Sequence, residues 1–390
     1  MIAYPGPFSV GVCQLEVAPR SVAQYGTLAA VFYPCSTTSP KSKWALGPPG
    51  FYAAGFGRYL GVNAFLRETV FPFLVGFVRM EAAAEPDPVL AGHPSLPQQL
   101  PVVVFSHGLG GNQTVYSTLC GTLASYGFVV ISIEHRDKSA SVSARANYLE
   151  RIDYQKPPSE DAESRVFRQK QLGQRLDEVE EAFQLLQDLN KGLKIDNLLS
   201  TKLPNLTGRL DMENAIMVGH SFGAATALGF LQRPKSPFIA GIILDPWMFA
   251  LSDRTPIPSP LLSIQSETFH WRKNIASLRE IWDPSATLPH APHAPQNQFA
   301  LIKGTKHQDV SDILPILPWF ARGAAGLGKV EPKRVFGAYD AMIGAFLKAT
   351  LTGRNAVAEL IQVHEVEAGL VLVDEAAFEF LDSTMPPAKL

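Results

Sequence analysis

"MVGHSFGAATAL", residues Met217–Leu228, holds a serine between two glycines in the pattern G-x-S-x-G. The preceding "NAIMVGHS" is a short apolar run typical of a buried strand, and the following "GAATALGFLQ" is rich in Ala and Leu and predicts a helix. A tight strand-to-helix turn brings the two backbones together, so small residues are needed on both sides of the serine. This context favours Ser221 as a nucleophile at a nucleophile elbow over a glycine-flanked packing turn.

The composition is that of an ordinary globular protein and excludes several classes of function. The chain has 390 residues, of which 46% are hydrophobic and 18% charged, and its net charge of −2 gives no basis for nucleic-acid binding. No window reaches the roughly 18 apolar residues of a spanning helix, and the first residues do not resemble a signal peptide. The three cysteines form no motif, which favours a reducing compartment. We therefore expect a cytoplasmic protein.

Short apolar runs that alternate with helical patterns indicate the fold class. Several of the runs are continuous in Val, Ile and Leu, as in parallel strands buried on both faces; they are "TLAAVFYP", "LPVVVFSHG", "FVVISIEHRD", "AIMVGHS", "AGIILDPW", "PLLSIQSE" and "FALIKGTKH". The sequence predicts one α/β-hydrolase domain over residues 1–390, with a mostly parallel, doubly wound sheet. We expect an apolar lid-like or interfacial insertion at about 50–90, a polar loop at about 138–165 and a C-terminal extension at about 350–390.

Three chemically suited side chains follow strand ends, where the active sites of open α/β sheets lie. "AIMVGHS" ends at Ser221, "GIILDPW" contains Asp245, and "FALIKGTKH" ends at His307. The order serine, acid, histidine is that of α/β-hydrolases, in which the imidazole activates the hydroxyl and the carboxylate orients the imidazole. Glu267 follows another strand and is the alternative acid. We favour Asp245 because it directly ends a buried apolar run.

Two backbone N–H groups are candidates for an oxyanion hole, the pair of donors that stabilises the negative oxygen of the reaction intermediate. One belongs to Phe222, which begins the helix after the nucleophile. The other belongs to Leu109 in "FSHGLGGNQ", a glycine-rich loop after an earlier strand. A phosphate-binding loop is a poor alternative, because no Gly-Lys-Ser/Thr follows.

The remaining histidines predict no metal site. His290 and His293 lie in "PHAPHAP", where prolines argue against a helical metal pair and favour a solvated loop. The segment "HRD", His135–Asp137, lacks the context of a kinase loop, and we assign it a structural or site-wall role. His220 is expected to be a packing residue.

A series of motifs resembles the platelet-activating factor acetylhydrolases (lipoprotein-associated phospholipase A2). The likeness runs from "GPFSVGV" near the start to about residue 312, and the motifs are "FSHGLGG", "LASYGFVVISIEHRDKSAS", "GHSFGAAT", "GIILDPWMF", "SETF" and "KHQDVSD". The resemblance implies a triad of Ser221, Asp245 and His307, with oxyanion donors at Leu109 and Phe222. The region beyond Ile313 matches poorly.

The resemblance also implies an activity. Members of this family hydrolyse short or oxidised sn-2 acyl groups of phospholipids without calcium, so we expect a phospholipid substrate, no metal and no cofactor. Two alternatives are a soluble carboxylesterase that acts on other esters and a catalytically silent lipid-binding protein. The intact triad argues against the second, because a binding protein needs none of its members.

The stretch "FLRETVFPFLVGFVRM", Phe65–Met80, is a candidate for peripheral membrane contact. Its apolar side chains would enter a lipid interface while flanking arginines meet phosphates; those singled out are Phe65, Phe71, Phe73, Leu74 and Phe77. The resemblance supports this, since a membrane-docking helix lies at about this place in secreted family members. A buried helix or a lid over the site is the alternative. The last residues, Ala388-Lys389-Leu390, resemble a peroxisomal address, which is a second candidate location.

Overall fold

One large sheet organises the molecule. The computed structural model describes residues 1–19, 26–36, 40–87, 95–269, 271–282, 297–367 and 369–373. The described strands are β1 (Ser9–Val17), β2 (Thr27–Cys35), β3 (Lys41–Lys43), β4 (Arg79–Ala84), β5 (Leu100–Ser106), β6 (Val129–Glu134), β7 (Val142–Arg145), β8 (Glu150–Asp153), β9 (Leu210–His220), β10 (Phe238–Leu244), β11 (Leu261–Ser266), β12 (Gln298–Ile302) and β13 (Val371–Val373). Eleven of them form a sheet in the order β13-β12-β11-β10-β9-β5-β6-β2-β1-β4-β3, and β7 and β8 form a separate hairpin.

The central part of the sheet is parallel. Each neighbouring pair from β6 through β5, β9, β10 and β11 to β12 is parallel, whereas β2 joins β6 and β13 joins β12 in antiparallel fashion. The register aligns the carboxyl ends of the parallel strands: Gly219 lies opposite Ser106, and His220 lies opposite Leu244. The loops that leave these ends therefore meet at one edge of the sheet.

Helices cover both faces of the sheet. They are α1 (Phe51–Tyr59), α2 (Phe71–Gly76), α3 (Ser117–Ser125), α4 (Asp161–Asn190), α5 (Phe222–Leu231), α6 (Arg272–Ile281), α7 (Ile313–Ile316), α8 (Trp319–Arg322) and α9 (Pro332–Leu351). Val102 and Val104 of β5 pack in the core that α4, α5 and α6 share, and Val103 and Phe105 pack in the core of α3 and α9. Burial on both faces explains the continuous apolar runs of the central strands.

The polar loop predicted at about 138–165 is wrong in part. Residues in this stretch form the β7–β8 hairpin, and α4 already begins at Asp161. Ser139, Ser141 and Ser143 are buried there beside small apolar residues. The Ser139 hydroxyl donates to Asp137 Oδ1 and accepts from Arg175, and such a buried hydroxyl has the same hydropathy as an exposed one. At the other end, the extension contributes β13 to the sheet edge, and residues 374–390 lie outside the described part.

Most of the apolar segment Phe65–Met80 lies on the surface, and its last residue, Met80, is buried in β4. A π-helical turn, Leu66–Val70, runs directly into α2, and Pro72, which has no N–H to donate to the preceding turn, stands at the junction. Phe65, Phe73 and Phe77 are 69%, 65% and 68% exposed. The alternative of a buried core helix is therefore wrong. Among the helices of the described ranges, none combines the length and the apolar character needed to span a bilayer.

Candidate active site

Ser221 occupies a strained turn between β9 and α5. Its backbone has φ 56° and ψ −116°, which is outside the regions that side-chain-bearing residues favour. Hydrogen bonds fix the backbone on both sides of the Ser221 Cα. The Ser221 N–H donates to the Leu244 carbonyl at 2.9 Å, and the Trp247 N–H donates to the Ser221 carbonyl at 3.1 Å. The surrounding structure thus holds a conformation that costs energy, as is common at active sites.

The two glycines around Ser221 are required by close backbone contacts. A Cβ at Gly219 would lie 2.2 Å from the carbonyl oxygen of Gly223, and a Cβ at Gly223 would lie 1.9 Å from that of Ser106. Both distances are far below any tolerated contact. The elbow geometry inferred from G-x-S-x-G is therefore present in the structure.

His307 links Ser221 and Asp245 in one hydrogen-bonded chain. Its Nε2 lies 2.9 Å from Ser221 Oγ, and its Nδ1 lies 2.9 Å from Asp245 Oδ2. These distances allow the proton transfers that a serine nucleophile requires. The structure thus brings together three residues that are far apart in the sequence.

The two candidate acids have different partners. Asp245 is buried, and its carboxylate accepts hydrogen bonds from the N–H (2.6 Å) and the hydroxyl (2.5 Å) of Ser266 in addition to the contact with His307. The Glu267 carboxylate accepts the Gly304 N–H at 2.7 Å and so braces the loop that leads to the histidine. Within the described residues, Glu267 makes no hydrogen bond to His307.

Two rings hold the imidazole of His307: Phe269, to which the sequence assigned no role, and His220, which was expected to be a packing residue. Phe269 stacks on one face with ring centroids 3.7 Å apart and an interplanar angle of 12°, and His220 packs at 4.5 Å and 36°. His220 is fixed in turn by the Tyr116 hydroxyl, which lies 2.7 Å from its Nδ1. Burial, together with the proximity of His307, holds the pKa of His220 well below its usual range. His220 is thus a neutral packing partner.

The glycine-rich loop after β5 lies against the nucleophile. A Cβ at Gly108 would be 3.0 Å from Ser221 Cβ. The backbone of the loop therefore lies so close to the nucleophile that a side chain at position 108 would be crowded. Phe222 is the first residue of α5, where a backbone N–H has no partner within the helix. Among the described residues, neither the Leu109 N–H nor the Phe222 N–H donates to another protein group. Both remain candidates for binding an oxyanion.

The segment His135–Asp137 is buried behind this loop. The His135 ring lies between Ser106 Oγ (2.7 Å) and Glu178 Oε2 (2.6 Å), and the Arg136 guanidinium donates to Glu16 Oε1 at 2.6 Å. These contacts agree with a supporting role. His290 and His293 lie outside the described residues.

A metal ion would have to compete with the hydrogen-bonded chain. His220, Asp245 and His307 form the one group in the described part of the chain whose ligand atoms lie close enough for a metal, all within 4.8 Å of one another. Both ring nitrogens of His307 are already engaged with Ser221 and Asp245. The donor set therefore fits proton transfer better than metal coordination.

Comparisons with known proteins agree with the motif resemblance and the fold. A search of solved structures finds the ferulic acid esterase from Streptomyces cinnamoneus with a TM-score of 0.64, covering 95% of this chain and 98% of that one at 17% identity, which supports the α/β-hydrolase fold alone. A platelet-activating factor acetylhydrolase of Gallus gallus is 30% identical over 331 residues, or 79% of this chain and 73% of that protein. A putative phospholipase A2 of Schizosaccharomyces pombe is 28% identical over 382 residues, or 81% and 84%.

A family model covers nearly the whole chain. The model described as platelet-activating factor acetylhydrolase, isoform II, matches residues 1–359. The match includes the elbow, the acid and histidine loops, and the apolar surface segment. The resemblance inferred from the motifs is confirmed, and the chain belongs to the platelet-activating factor acetylhydrolase, isoform II, family.

Proposed function

We propose that this protein hydrolyses the short, acetyl-like sn-2 ester of platelet-activating factor or a related phospholipid, with Ser221 as the nucleophile and without calcium. The observation that carries the proposal is the position of His307, 2.9 Å from both Ser221 Oγ and Asp245 Oδ2. The names of the relatives, an acetylhydrolase and a putative phospholipase A2, support hydrolysis of a phospholipid ester.

In the acylation step, the proton of Ser221 moves to His307, which Asp245 holds in place. His307 Nε2 takes the hydroxyl proton while Ser221 Oγ attacks the sn-2 carbonyl carbon. The carbonyl oxygen becomes an anion, which the N–H groups of Leu109 and Phe222 stabilise. The intermediate then collapses: the bond to the glycerol oxygen breaks, His307 gives its proton to that oxygen, and the lysophospholipid leaves.

Deacylation repeats the sequence with water. His307 accepts a proton from the water as the water oxygen attacks the acyl carbon, and the proton then returns to Ser221 Oγ as the acid departs. Throughout, the carboxylate of Asp245 accepts the Nδ1–H of His307, so that Nε2 is free to act as the base. Ser266 keeps the carboxylate in place through its two hydrogen bonds.

A substrate panel tests the proposed function. Phosphatidylcholines with acetyl and with long sn-2 chains are compared in the presence of a chelator. We expect acetate to be released much faster than a long-chain acid. The chelator should have no effect on the rate, because the nucleophile and the base are the side chains of Ser221 and His307. Loss of activity with the chelator would contradict the metal-free mechanism, and hydrolysis of simple esters alone would favour a carboxylesterase.

The exposed apolar segment supports contact with a lipid surface. Phe73 and Phe77 pack edge to face with ring centroids 5.0 Å apart, both rings lie largely in solvent, and Leu74 between them is also exposed. Phe71 is only half-buried, and Val75 of the same segment packs against the core. Adjacent exposed aromatic side chains of this kind mark interaction sites. We propose that Phe65–Met80 docks the enzyme on phospholipid aggregates.

Phe73→Ser combined with Phe77→Ser should weaken liposome binding by at least about tenfold, because each buried phenyl ring contributes roughly 1.5–3 kcal/mol. Hydrolysis in vesicles should fall in parallel, while cleavage of a water-soluble acetyl ester stays normal. Binding is measured by vesicle sedimentation. Leu193→Ser with Leu198→Ser, two exposed side chains just beyond α4, is the matched control. If the Phe73/Phe77 variant lost activity on both substrates, the segment would belong to the catalytic unit.

The location of the protein stays a prediction from the sequence. The composition and the cysteines favour the cytoplasm, and Ala388-Lys389-Leu390 offers a peroxisomal alternative. These three residues lie outside the described part of the chain.

A further inference from the structure

Arg175 is a charged side chain in the interior of the molecule. It lies on α4, and both its side chain and that of its partner Asp137 are fully shielded from solvent. Burial of a guanidinium is costly unless its donors are satisfied. The partners that satisfy Arg175 are therefore informative about what it does.

The guanidinium holds the glycine-rich loop on both sides of Leu109. Its Nη1 donates to the carbonyl of His107 at 2.8 Å, two residues before Leu109. Its Nη2 donates to Ser139 Oγ at 2.6 Å, and the Ser139 carbonyl accepts the N–H of Gly110 at 2.8 Å, one residue after Leu109. The orientation of the Leu109 peptide thus depends on Arg175, directly and through Ser139.

The same guanidinium also packs on the other oxyanion-donor residue. Its central carbon lies 4.3 Å from the centroid of the Phe222 ring, within the range of a cation–π interaction. Phe222 follows Ser221 and begins α5. Arg175 therefore contacts both candidate donor sites: the glycine-rich loop that contains Leu109, and Phe222 itself.

Asp137 compensates the buried charge and completes the support. Its Oδ2 accepts from Arg175 Nε at 3.0 Å, while its Oδ1 accepts the N–H and the hydroxyl of Ser139. The carboxylate thus fixes both the guanidinium and the serine that the guanidinium binds. Asp137 thus holds in place the two residues, Arg175 and Ser139, that contact the glycine-rich loop.

We infer that Arg175 is a positioning residue that sets the distance and direction of the Leu109 and Phe222 N–H groups toward the oxyanion. The inference rests on the proposed function. Hydrogen-bond donors aimed at a developing charge act through their fixed geometry. Displacement of a reacting or stabilising group by about 1 Å can reduce the rate about 100-fold. Loss of Arg175 should therefore affect the transition state more than substrate binding.

Arg175→Met and Arg168→Met provide a matched test, because both remove a buried guanidinium from α4. Arg168 donates to Gln171 Oε1 and to the Tyr154 hydroxyl, and it makes no hydrogen bond to the glycine-rich loop within the described residues. For hydrolysis of a water-soluble aryl acetate, we expect Arg175→Met to lower kcat about 100-fold with KM changed less than twofold. Arg168→Met should keep kcat within about threefold of the unmodified protein. Binding of a trifluoromethyl ketone, whose adduct carries an oxyanion, should weaken only in Arg175→Met.

Arg175→Lys keeps the charge but lacks the planar fork that reaches His107 and Ser139 together. We expect it to fold and to show an intermediate loss of kcat with the same unchanged KM. Normal kcat in both Arg175 variants would overturn the inference. So would equal losses in the Arg168 and Arg175 variants, or failure of both Arg175 variants to fold while Arg168→Met folds. Absence of ester hydrolysis in the unmodified protein would instead contradict the proposed function itself.

Discussion

Ser221→Ala should abolish ester hydrolysis and covalent labelling by a fluorophosphonate probe. The Ser221 hydroxyl lies 2.9 Å from His307 Nε2, which can take its proton as the oxygen attacks the ester. Loss of the nucleophile costs about a millionfold in kcat in a serine protease, which would place the variant below detection. The melting temperature should hardly change, because alanine experiences the same backbone strain at φ 56° as serine does. Turnover of an acetyl ester and gel-based labelling are the measurements.

A second serine variant separates the loss of chemistry from general damage. Ser236→Ala changes a half-buried hydroxyl in the turn after α5, where the contact is a local one to the N–H of Phe238. It should label and turn over normally. Labelling that persists in Ser221→Ala at the normal rate would move the nucleophile to another residue and would remove the basis of the proposed mechanism.

The central sheet and the positions of the three triad candidates followed from local sequence patterns. Continuous apolar runs identify strands buried on both faces, and the residue that closes such a strand must emerge at its carboxyl end. Because β9, β10 and β12 are parallel members of the same sheet, Ser221, Asp245 and His307 emerge at the same edge. The contact of His307 with both other residues is a consequence of this register and of the loop after β12.

Contacts between distant segments could not be read from the sequence. Phe269 stacks on His307 across 38 positions of the chain, and Arg175 binds the carbonyl of His107 across 68. Neither contact leaves a periodic or local signal, since each depends on how separate elements pack. The β7–β8 hairpin was missed for a related reason: its strands are short and rich in polar residues, which have the hydropathy of a loop. The π-helical turn lies directly before Pro72, where the sequence predicts that a straight helix cannot continue.

The structure also distinguishes the two candidate acids, Asp245 and Glu267, by their hydrogen-bond partners. Both residues follow parallel strands, and the sequence favoured Asp245 because it directly ends a buried apolar run. In the structure, Ser266 directs two donors at Asp245, and the Gly304 N–H engages Glu267. The carboxylate of Asp245 faces His307. The carboxylate of Glu267 instead holds Gly304, in the loop between β12 and His307. This difference yields a quantitative prediction.

Asp245→Asn should lower kcat by about four orders of magnitude, the loss seen for the equivalent change in a serine protease. An amide has one acceptor and one donor group, whereas the site supplies two donors from Ser266 and the Nδ1–H of His307. If the amide oxygen accepts from Ser266, its NH₂ faces Nδ1 and forces the proton of His307 onto Nε2, which can then no longer take the proton of Ser221. If the amide flips, its oxygen can accept from Nδ1, but its NH₂ then faces the backbone N–H of Ser266, so two buried donors oppose each other. The first arrangement removes the base, and the second is disfavoured by the unpaired donors.

Glu267→Gln is the matched comparison, because the same carboxylate-to-amide change there leaves an oxygen that still accepts the Gly304 N–H. We expect kcat within a few-fold of that of the unmodified protein, and thermal unfolding to show that both variants are folded. The hydroxyl of Ser221 is still present in Asp245→Asn, so slow fluorophosphonate labelling should persist there, unlike in Ser221→Ala. The opposite ranking, with Glu267→Gln inactive and Asp245→Asn nearly normal, would assign the acid to Glu267. It would also mean that the 2.9 Å contact of Asp245 with His307 orients the ring without supporting its charge.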